Sequence, residues 1–265
     1  MKIGFIGAGN MASAILDGIL SGNFVEKNNI YAFDVSKERC EIFAQKGVNI
    51  SDDSIDLVKA CDYIILAIKP QNFPEVMTHI NDFVTEEKTL ISIAAGISTD
   101  YIKKFFETDV TVFRAMPNLP MVIGCGATAL CAVDDINDER FLVAKKIFSL
   151  SSIVEIIPES KMNEIIAVNG SSPAYVYLFA KSMLMYAKNA GIDEKSALKL
   201  ITASIKGSAE MIEKSEDDID TLISRVSSKG GTTLAALDIL YKNNFSDTVV
   251  EAMEACTKRA EELSK

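Results

Sequence analysis

A chain of 265 residues, 48% of them hydrophobic, exceeds what one hydrophobic core usually holds and points to two unequal domains. Its net charge of -10 argues against a nucleic-acid surface, which needs concentrated Lys and Arg. The longest apolar runs, such as residues 63–68, have strand length, and the first residues read directly as a strand, so neither a membrane span nor a secretory leader is expected and a cytoplasmic protein is.

In chain order, the apolar strand 2–6 runs into Gly7-Ala8-Gly9-Asn10-Met11-Ala12 and then into the amphipathic stretch 11–20. That layout is built to hold a pyrophosphate: Gly7 permits a tight turn, Gly9 lets the backbone approach, Ala12 allows close helix packing, and free amides at the helix start face the anion. A second strand, 29–33, ends at Asp34, where an acidic residue commonly bonds the adenosine ribose hydroxyls and repels a 2′-phosphate, which favours NAD; Lys37 and Arg39 stand close enough to receive that phosphate instead. Strands 63–67, 89–93 and 111–114 follow, alternating with helical stretches. This implies a parallel sheet with helices on both faces. Two further apolar stretches, 126–133 and 152–157, are expected as added strands at the far edge.

Ligands of such a sheet sit outside the carboxyl ends of its strands. Three segments fall there. In Ala67-Ile68-Lys69-Pro70-Gln71 the proline stiffens the turn and Lys69 offers a charge near phosphate or ribose; Ala94-Ala95-Gly96 lets a nicotinamide or ribose lie close to backbone; Arg114-Ala115-Met116-Pro117-Asn118 ends the next strand. His79, the only histidine, reads as a surface helix residue. Five cysteines, Cys40, Cys61, Cys125, Cys131 and Cys256, form no Cys-x-x-Cys pair, so neither a metal site nor a disulfide framework is expected.

After Pro158 strand patterns give way to helices at 161–168, 173–189, 193–214, 217–226, 232–243 and 246–264. The expectation is an α/β protein: residues 1–158 form a doubly wound Rossmann-like dinucleotide-binding domain, and 159–265 an all-helical dimerisation and substrate domain. Ser172 before Pro173 is a suitable N-cap, and Gly191 suits the left-handed position closing that helix. The helix 173–189 is apolar all round, with Tyr175, Tyr177, Phe179, Met183, Met185 and Tyr186, and Val249, Met253, Cys256, Ala260 and Leu263 make an apolar stripe in the last helix. A helical domain this small has little core of its own, which predicts an interlocked homodimer, open to larger assembly. Val226-Ser227-Ser228-Lys229-Gly230-Gly231-Thr232-Thr233 leads into a helix and resembles an anion cradle, where amides with the Ser228 and Thr233 hydroxyls bind a carboxylate. Asn169-Gly170-Ser171-Ser172-Pro173 is expected to line the same pocket.

Ile-Gly-Ala-Gly-Asn-Met-Ala, Ile-Lys-Pro-Gln, Ser-Ile-Ala-Ala-Gly-Ile, Arg-Ala-Met-Pro-Asn, Gly-Ser-Ser-Pro-Ala-Tyr and Gly-Gly-Thr-Thr, in this order across almost the whole chain, resemble the pyrroline-5-carboxylate reductase family. The resemblance implies reduction of 1-pyrroline-5-carboxylate to L-proline with NADH or NADPH, the last step of proline biosynthesis. It implies cofactor contacts at Gly7, Ala8, Gly9, Asn10, Met11, Ala12, Asp34, Ala67, Ile68, Lys69, Pro70, Ala94, Ala95 and Gly96. Substrate would be held by Ser228, Thr232 and Thr233, with Ser228 and Thr233 in the catalytic role and Thr233 hydrogen-bonded to the ring nitrogen. Three positions depart from the family pattern: Lys229 where proline is usual, Asn169 where serine is usual, and Ser54 where asparagine is common. The chemistry needs few side chains, because a protonated cyclic imine already accepts hydride. Two alternatives are a β-hydroxyacid or glycerol-phosphate dehydrogenase relying on Lys181 or Lys206, and a nucleotide-binding regulatory protein without turnover.

Overall fold

The computed structural model describes residues 1–131 and 136–264. Its sheet comprises β1 (Ile3–Ile6), β2 (Ile30–Phe33), β3 (Asn49–Ile50), β4 (Tyr63–Leu66), β5 (Thr89–Ser92), β6 (Thr111–Pro117), β7 (Gly126–Cys131) and β8 (Ser152–Ile156), in the order β3-β2-β1-β4-β5-β6-β7-β8. The first six strands are all parallel. The order reverses between β1 and β4, the place where a doubly wound sheet opens its crevice.

Both faces of the sheet's central strands are buried, which is why those strands read as continuous apolar runs. On one face Phe5, Ile65 and Ile91 pack against α1 (Asn10–Ser21), Phe43 of α2 (Lys37–Gln45) and Phe141 and Phe148 of α6 (Glu139–Ser149). On the other, Ile6, Leu66 and Val112 meet α3 (Ser54–Ala60), α4 (Phe73–Ile80) and α5 (Thr99–Lys103). Helix α1 buries Ala12, Ile15, Leu16 and Ile19, one face at helical spacing.

Three details differ from the sequence reading. The two-residue β3 is too short to leave a periodic signal. Strand β6 runs past Arg114 to Pro117, because its last residues pair with β7, antiparallel to it, instead of with β5. The stretch expected at 126–133 is a strand to Cys131, and Ala132 and Val133 lie outside the described residues.

The chain divides into two compact units, Met1–Pro173 with Glu254–Lys265, and Ala174–Met253. The sequence pattern places residues 159–173 with the helical part, whereas here they pack with the sheet. Met162 of α7 (Met162–Ile165) and Ile166 of the π-helical turn Ile166–Gly170 join Met116, Ala129, Cys131 and Ala260 in one cluster. Helical periodicity reports an apolar face without saying which core receives it.

Helices α8 (Ser172–Asn189), α9 (Glu194–Lys214), α10 (Ile219–Arg225), α11 (Thr232–Lys242) and α12 (Phe245–Leu263) complete the chain. The second unit's own cluster centres on only Ala187, Ala197 and Ile201. Asp193 and Asp218 cap α9 and α10. Gly191, at φ +75°, closes α8 as expected, with its N–H bonded to the Lys188 carbonyl and the Ile192 N–H to that of Ala187. The Ser172 hydroxyl at the start of α8 donates to the Asn169 carbonyl (3.2 Å). The stripe on α12 is split, Cys256 and Ala260 packing with the first unit's cluster while Val249 stays exposed.

Candidate functional site

At the end of β1 the backbone of Gly7 has φ +98°, and a Cβ there would run into the Ala67 carbonyl, so the turn requires glycine. Its N–H donates to the Phe33 carbonyl (2.8 Å) and the Ala67 N–H to that of Ile6 (2.8 Å), so the ends of β1, β2 and β4 are tied together at the switch point. Helix α1 then starts at Asn10, behind Gly9, with no side-chain cap and no acidic residue in its first turn. Its leading amides are free for an anion. A cleft of about 330 Å³ opens here, lined by Gly7, Asp34, Arg39, Ala67, Ile68 and Lys69. Ala8 and Ala12 are buried beneath it.

Asp34 does not present a free carboxylate to this cleft. Its two oxygens accept from the Ala8 N–H (2.8 Å) and the Ser36 N–H (2.8 Å), and its side chain is 7% exposed. Asp34 therefore braces the glycine turn against the loop after β2. Arg39 lies across it, 54% exposed, with Nη1 3.6 Å from Asp34 Oδ2. The same nitrogen lies 3.8 Å from where a Gly9 Cβ would stand. Next to the cleft, Val35 is 91% exposed and borders a second hollow of about 730 Å³ with Ser54, Asp53 and His79. His79 is exposed on α4, as expected, and has a partner that its sequence neighbourhood hides: Nε2 lies 2.9 Å from Oδ1 of Asp53. That hydrogen bond holds the Asp53 carboxyl below its ordinary range.

Farther along the sheet edge, Ala94 is buried and Gly96 lies against the last turn of α12, where an added Cβ would stand 2.8 Å from the Ala260 carbonyl oxygen. Arg114 turns inward, almost fully buried, and donates to Asn163 Oδ1 (2.8 Å). At the other end of that motif, Asn118 donates to Asn169 Oδ1 (2.9 Å) and accepts from the Ala127 N–H (2.8 Å). The Asn169 amide group donates to the Met116 and Ala127 carbonyls (2.7 and 3.0 Å). Asn169, one of the departures from the family pattern, thus ties the π-helical turn to β6 and β7, which a serine with one short hydroxyl cannot do at both carbonyls. Neither contact network left a signal in the sequence beyond unexplained polar residues. Burial pushes the Cys61 thiol up to about 12 and Cys131 to about 11, so both are poor nucleophiles.

Within the second unit, the Gly231 N–H bonds the Ser228 carbonyl (2.9 Å) and Gly230 has φ +75° while Lys229 does not have positive φ. This is a type II turn with glycine at its third position. Ser228 and Thr232 are exposed, Thr233 is half-buried, and α11 begins without a side-chain cap. Lys229 occupies the second turn position, whose φ proline pre-sets. Lys229→Pro is expected to stabilise the protein by about 0.4–1 kcal/mol, a rise in Tm of roughly 1–4 °C. Calorimetry checks it, and a lowered Tm excludes this turn geometry. Lys181 and Lys206 are both solvent-exposed on α8 and α9.

Five thiols are free, and among the described residues no group of three His, Cys, Asp or Glu side chains is placed to hold a metal, and no helix is long and apolar enough to cross a membrane. A parallel sheet with a glycine turn at its switch point, followed by a helical unit carrying a hydroxyl-lined turn, defines a two-domain dinucleotide-dependent oxidoreductase. Residues 2–96 match a family model described as NADP oxidoreductase, coenzyme F420-dependent, and residues 159–263 one described as pyrroline-5-carboxylate reductase dimerisation. The chain is 32% identical to the pyrroline-5-carboxylate reductase of Escherichia coli over 100% of its own length and 98% of that protein's, and 34% identical to that of Haemophilus influenzae over 98% and 97%. A crystal structure of the Plasmodium falciparum pyrroline carboxylate reductase with NADP bound superposes with a TM-score of 0.92 at 30% identity, covering 100% of this chain and 98% of that one. The Streptococcus pyogenes enzyme gives 0.90 at 31%, covering 99% and 98%. The chain belongs to the pyrroline-5-carboxylate reductase family.

Proposed function

We propose that this protein reduces 1-pyrroline-5-carboxylate to L-proline with NAD(P)H, the last step of proline biosynthesis. The observation that carries the proposal is the presence in one chain of the glycine turn at the β1/β4 switch point and the Ser228 to Gly231 turn at the head of α11, against full-length similarity to reductases of this name. The cofactor fits the first of these, because a side-chain-free turn, an uncapped helix start and an adjoining cleft offer backbone amides to a pyrophosphate. When bound, it supplies the hydride.

The chain's own residues do the rest by binding and orientation. Gly7, Ala8, Gly9, Asn10, Met11 and Ala12 shape the pyrophosphate site, Asp34 fixes the turn's geometry, Ala67, Ile68 and Lys69 form the cleft's opposite wall with Pro70 stiffening the turn behind them, and Ala94, Ala95 and Gly96 form the flat floor of the nicotinamide end. Ser228, Thr232 and Thr233, with the free amides of α11, hold the substrate carboxylate, and the Thr233 hydroxyl accepts a hydrogen bond from the protonated ring nitrogen. Holding the ring at a carboxylate and at its nitrogen restricts it to one orientation, which contributes on the order of several kcal/mol to lowering the barrier. Functionally, residues 1–158 are the dinucleotide-binding domain and 159–265 the dimerisation and substrate domain of a cytoplasmic homodimer, open to larger assembly. The test is NAD(P)H oxidation coupled to proline formation on adding pyrroline-5-carboxylate; a protein that binds dinucleotide and forms no proline overturns the assignment.

The cofactor preference inferred from the sequence at Asp34 changes once its contacts are considered. A carboxylate committed to two backbone amides and faced by Arg39 repels a 2′-phosphate little, and the guanidinium is placed to receive it. NADPH is the favoured cofactor on this reading. Arg39→Ala is expected to raise KM for NADPH about tenfold while leaving NADH within twofold, as for one lost charge-assisted hydrogen bond. Steady-state kinetics with both cofactors decide the point, an unchanged ratio ruling out Arg39.

A further inference from the structure

The 94–96 loop has only small side chains. Two grips on its C-terminal side hold its geometry. In the first the Gly96 backbone, at φ +75°, is pressed against α12, its Cβ position lying 2.8 Å from the Ala260 carbonyl oxygen and 3.2 Å from the Ser264 nitrogen. In the second Thr99, the first residue of α5, gives its backbone N–H to Glu159 Oε1 (2.8 Å) and its hydroxyl to Glu159 Oε2 (2.5 Å). Arg114 connects the two grips. Its Nη1 lies 3.9 Å from Glu159 Oε1, its Nη2 donates to Asn163 Oδ1, and Asn163 Nδ2 donates to Ser264 Oγ (3.1 Å), whose hydroxyl is bonded to the Ala260 carbonyl. Ala95 packs on the cluster containing Met116, Met162 and Ala260.

Burial works against the Arg114 charge and Glu159 counters it. With Arg114 buried and Glu159 27% exposed, the pair is a weak source of stability, and its consequence here is geometric. Because β5 lies next to β4, whose end lines the cleft, the loop it holds falls at the nicotinamide end of the sheet edge. Resting on the reading that the protein binds NAD(P)H, we propose that Glu159, acting through Arg114, Thr99 and Asn163, is a positioning residue that sets the 94–96 loop for the nicotinamide half of the cofactor and leaves the adenosine half untouched.

The test is Glu159→Gln, which keeps the shape, replaces one acceptor oxygen by a donor facing Thr99 or Arg114, and removes the countercharge. Calorimetric Kd values are measured for NADPH and for 2′-phospho-ADP-ribose, which lacks the nicotinamide. NADPH affinity is expected to fall about tenfold, the loss for one hydrogen bond to a charged group, while 2′-phospho-ADP-ribose stays within twofold. Asn163→Ala, which cuts both the link to Ser264 and the Arg114 hydrogen bond, should give the same split and carries the test if the glutamine variant does not fold. Equal losses for both ligands, or unchanged NADPH affinity in a folded variant, overturn the proposal. Wild-type protein that binds NADPH without reducing pyrroline-5-carboxylate refutes the reductase reading alone, because this comparison needs no turnover.

Discussion

Thr233→Ala is expected to lower kcat/KM for pyrroline-5-carboxylate between ten- and more than a hundredfold while leaving NAD(P)H binding within twofold. The reasoning starts from the helix. Thr233 is the second residue of α11, half-buried, and alanine has the higher helix propensity there, so the substitution removes a hydroxyl without weakening the fold. If that hydroxyl contacts the protonated ring nitrogen, its loss costs about 1.5–3 kcal/mol, and each ~1.4 kcal/mol is a factor of ten in rate. Thr233→Ser keeps the oxygen and should recover most of the activity. Parallel kinetics for substrate and binding titrations for cofactor separate the two halves of the site, and wild-type kinetics in the alanine variant remove Thr233 from the mechanism.

The sheet and its crevice were legible in the sequence because both depend on local pattern: apolar runs of strand length, and a glycine turn whose residues are fixed by sterics at Gly7. The helices were legible to within about two residues where a cap marks them, as at Asp193 and Gly191. What sequence could not give was the direction in which polar side chains point. Asp34 has the right identity and position for a ribose contact, yet the glycine turn and the loop after β2 each offer it an N–H group, and a short carboxylate satisfies those first. Arg114 belongs to a motif that ends at the cofactor edge, yet its side chain leaves the motif to pair with Glu159 and Asn163, more than forty positions away. The Asn118 and Asn169 carboxamides interlock across a similar separation. Such contacts are set by the packing of segments whose meeting no period in the sequence announces. The split of the α12 stripe has the same origin, since one helix face serves two different surfaces along its length.

That split also decides where dimerisation is best tested. In a single chain the second unit leaves much of its apolar surface open: on α8 Leu178 is 64% and Tyr186 73% exposed, and Leu200 of α9 is 68% exposed, around a core of three buried residues. Large apolar side chains left this exposed fit the match of residues 159–263 to a dimerisation family. Met253 of α12 is half-buried within its own chain, so a charge there would damage the monomer as well as any interface. Leu178→Asp is the cleaner probe, because the side chain touches little in the isolated chain and a two-fold dimer would carry the new carboxylate twice. Desolvating an unpaired carboxylate costs several kcal/mol per copy, which shifts the association constant by several powers of ten. Sedimentation at assay concentration is therefore expected to find a folded monomer, and pyrroline-5-carboxylate reduction is expected to disappear with the dimer if the dimer is the catalytic unit. NADPH should still bind, as the glycine turn and Arg39 lie within the first unit. A monomeric variant with full activity would sink this account of the site, and a variant that remains dimeric would move the interface off α8.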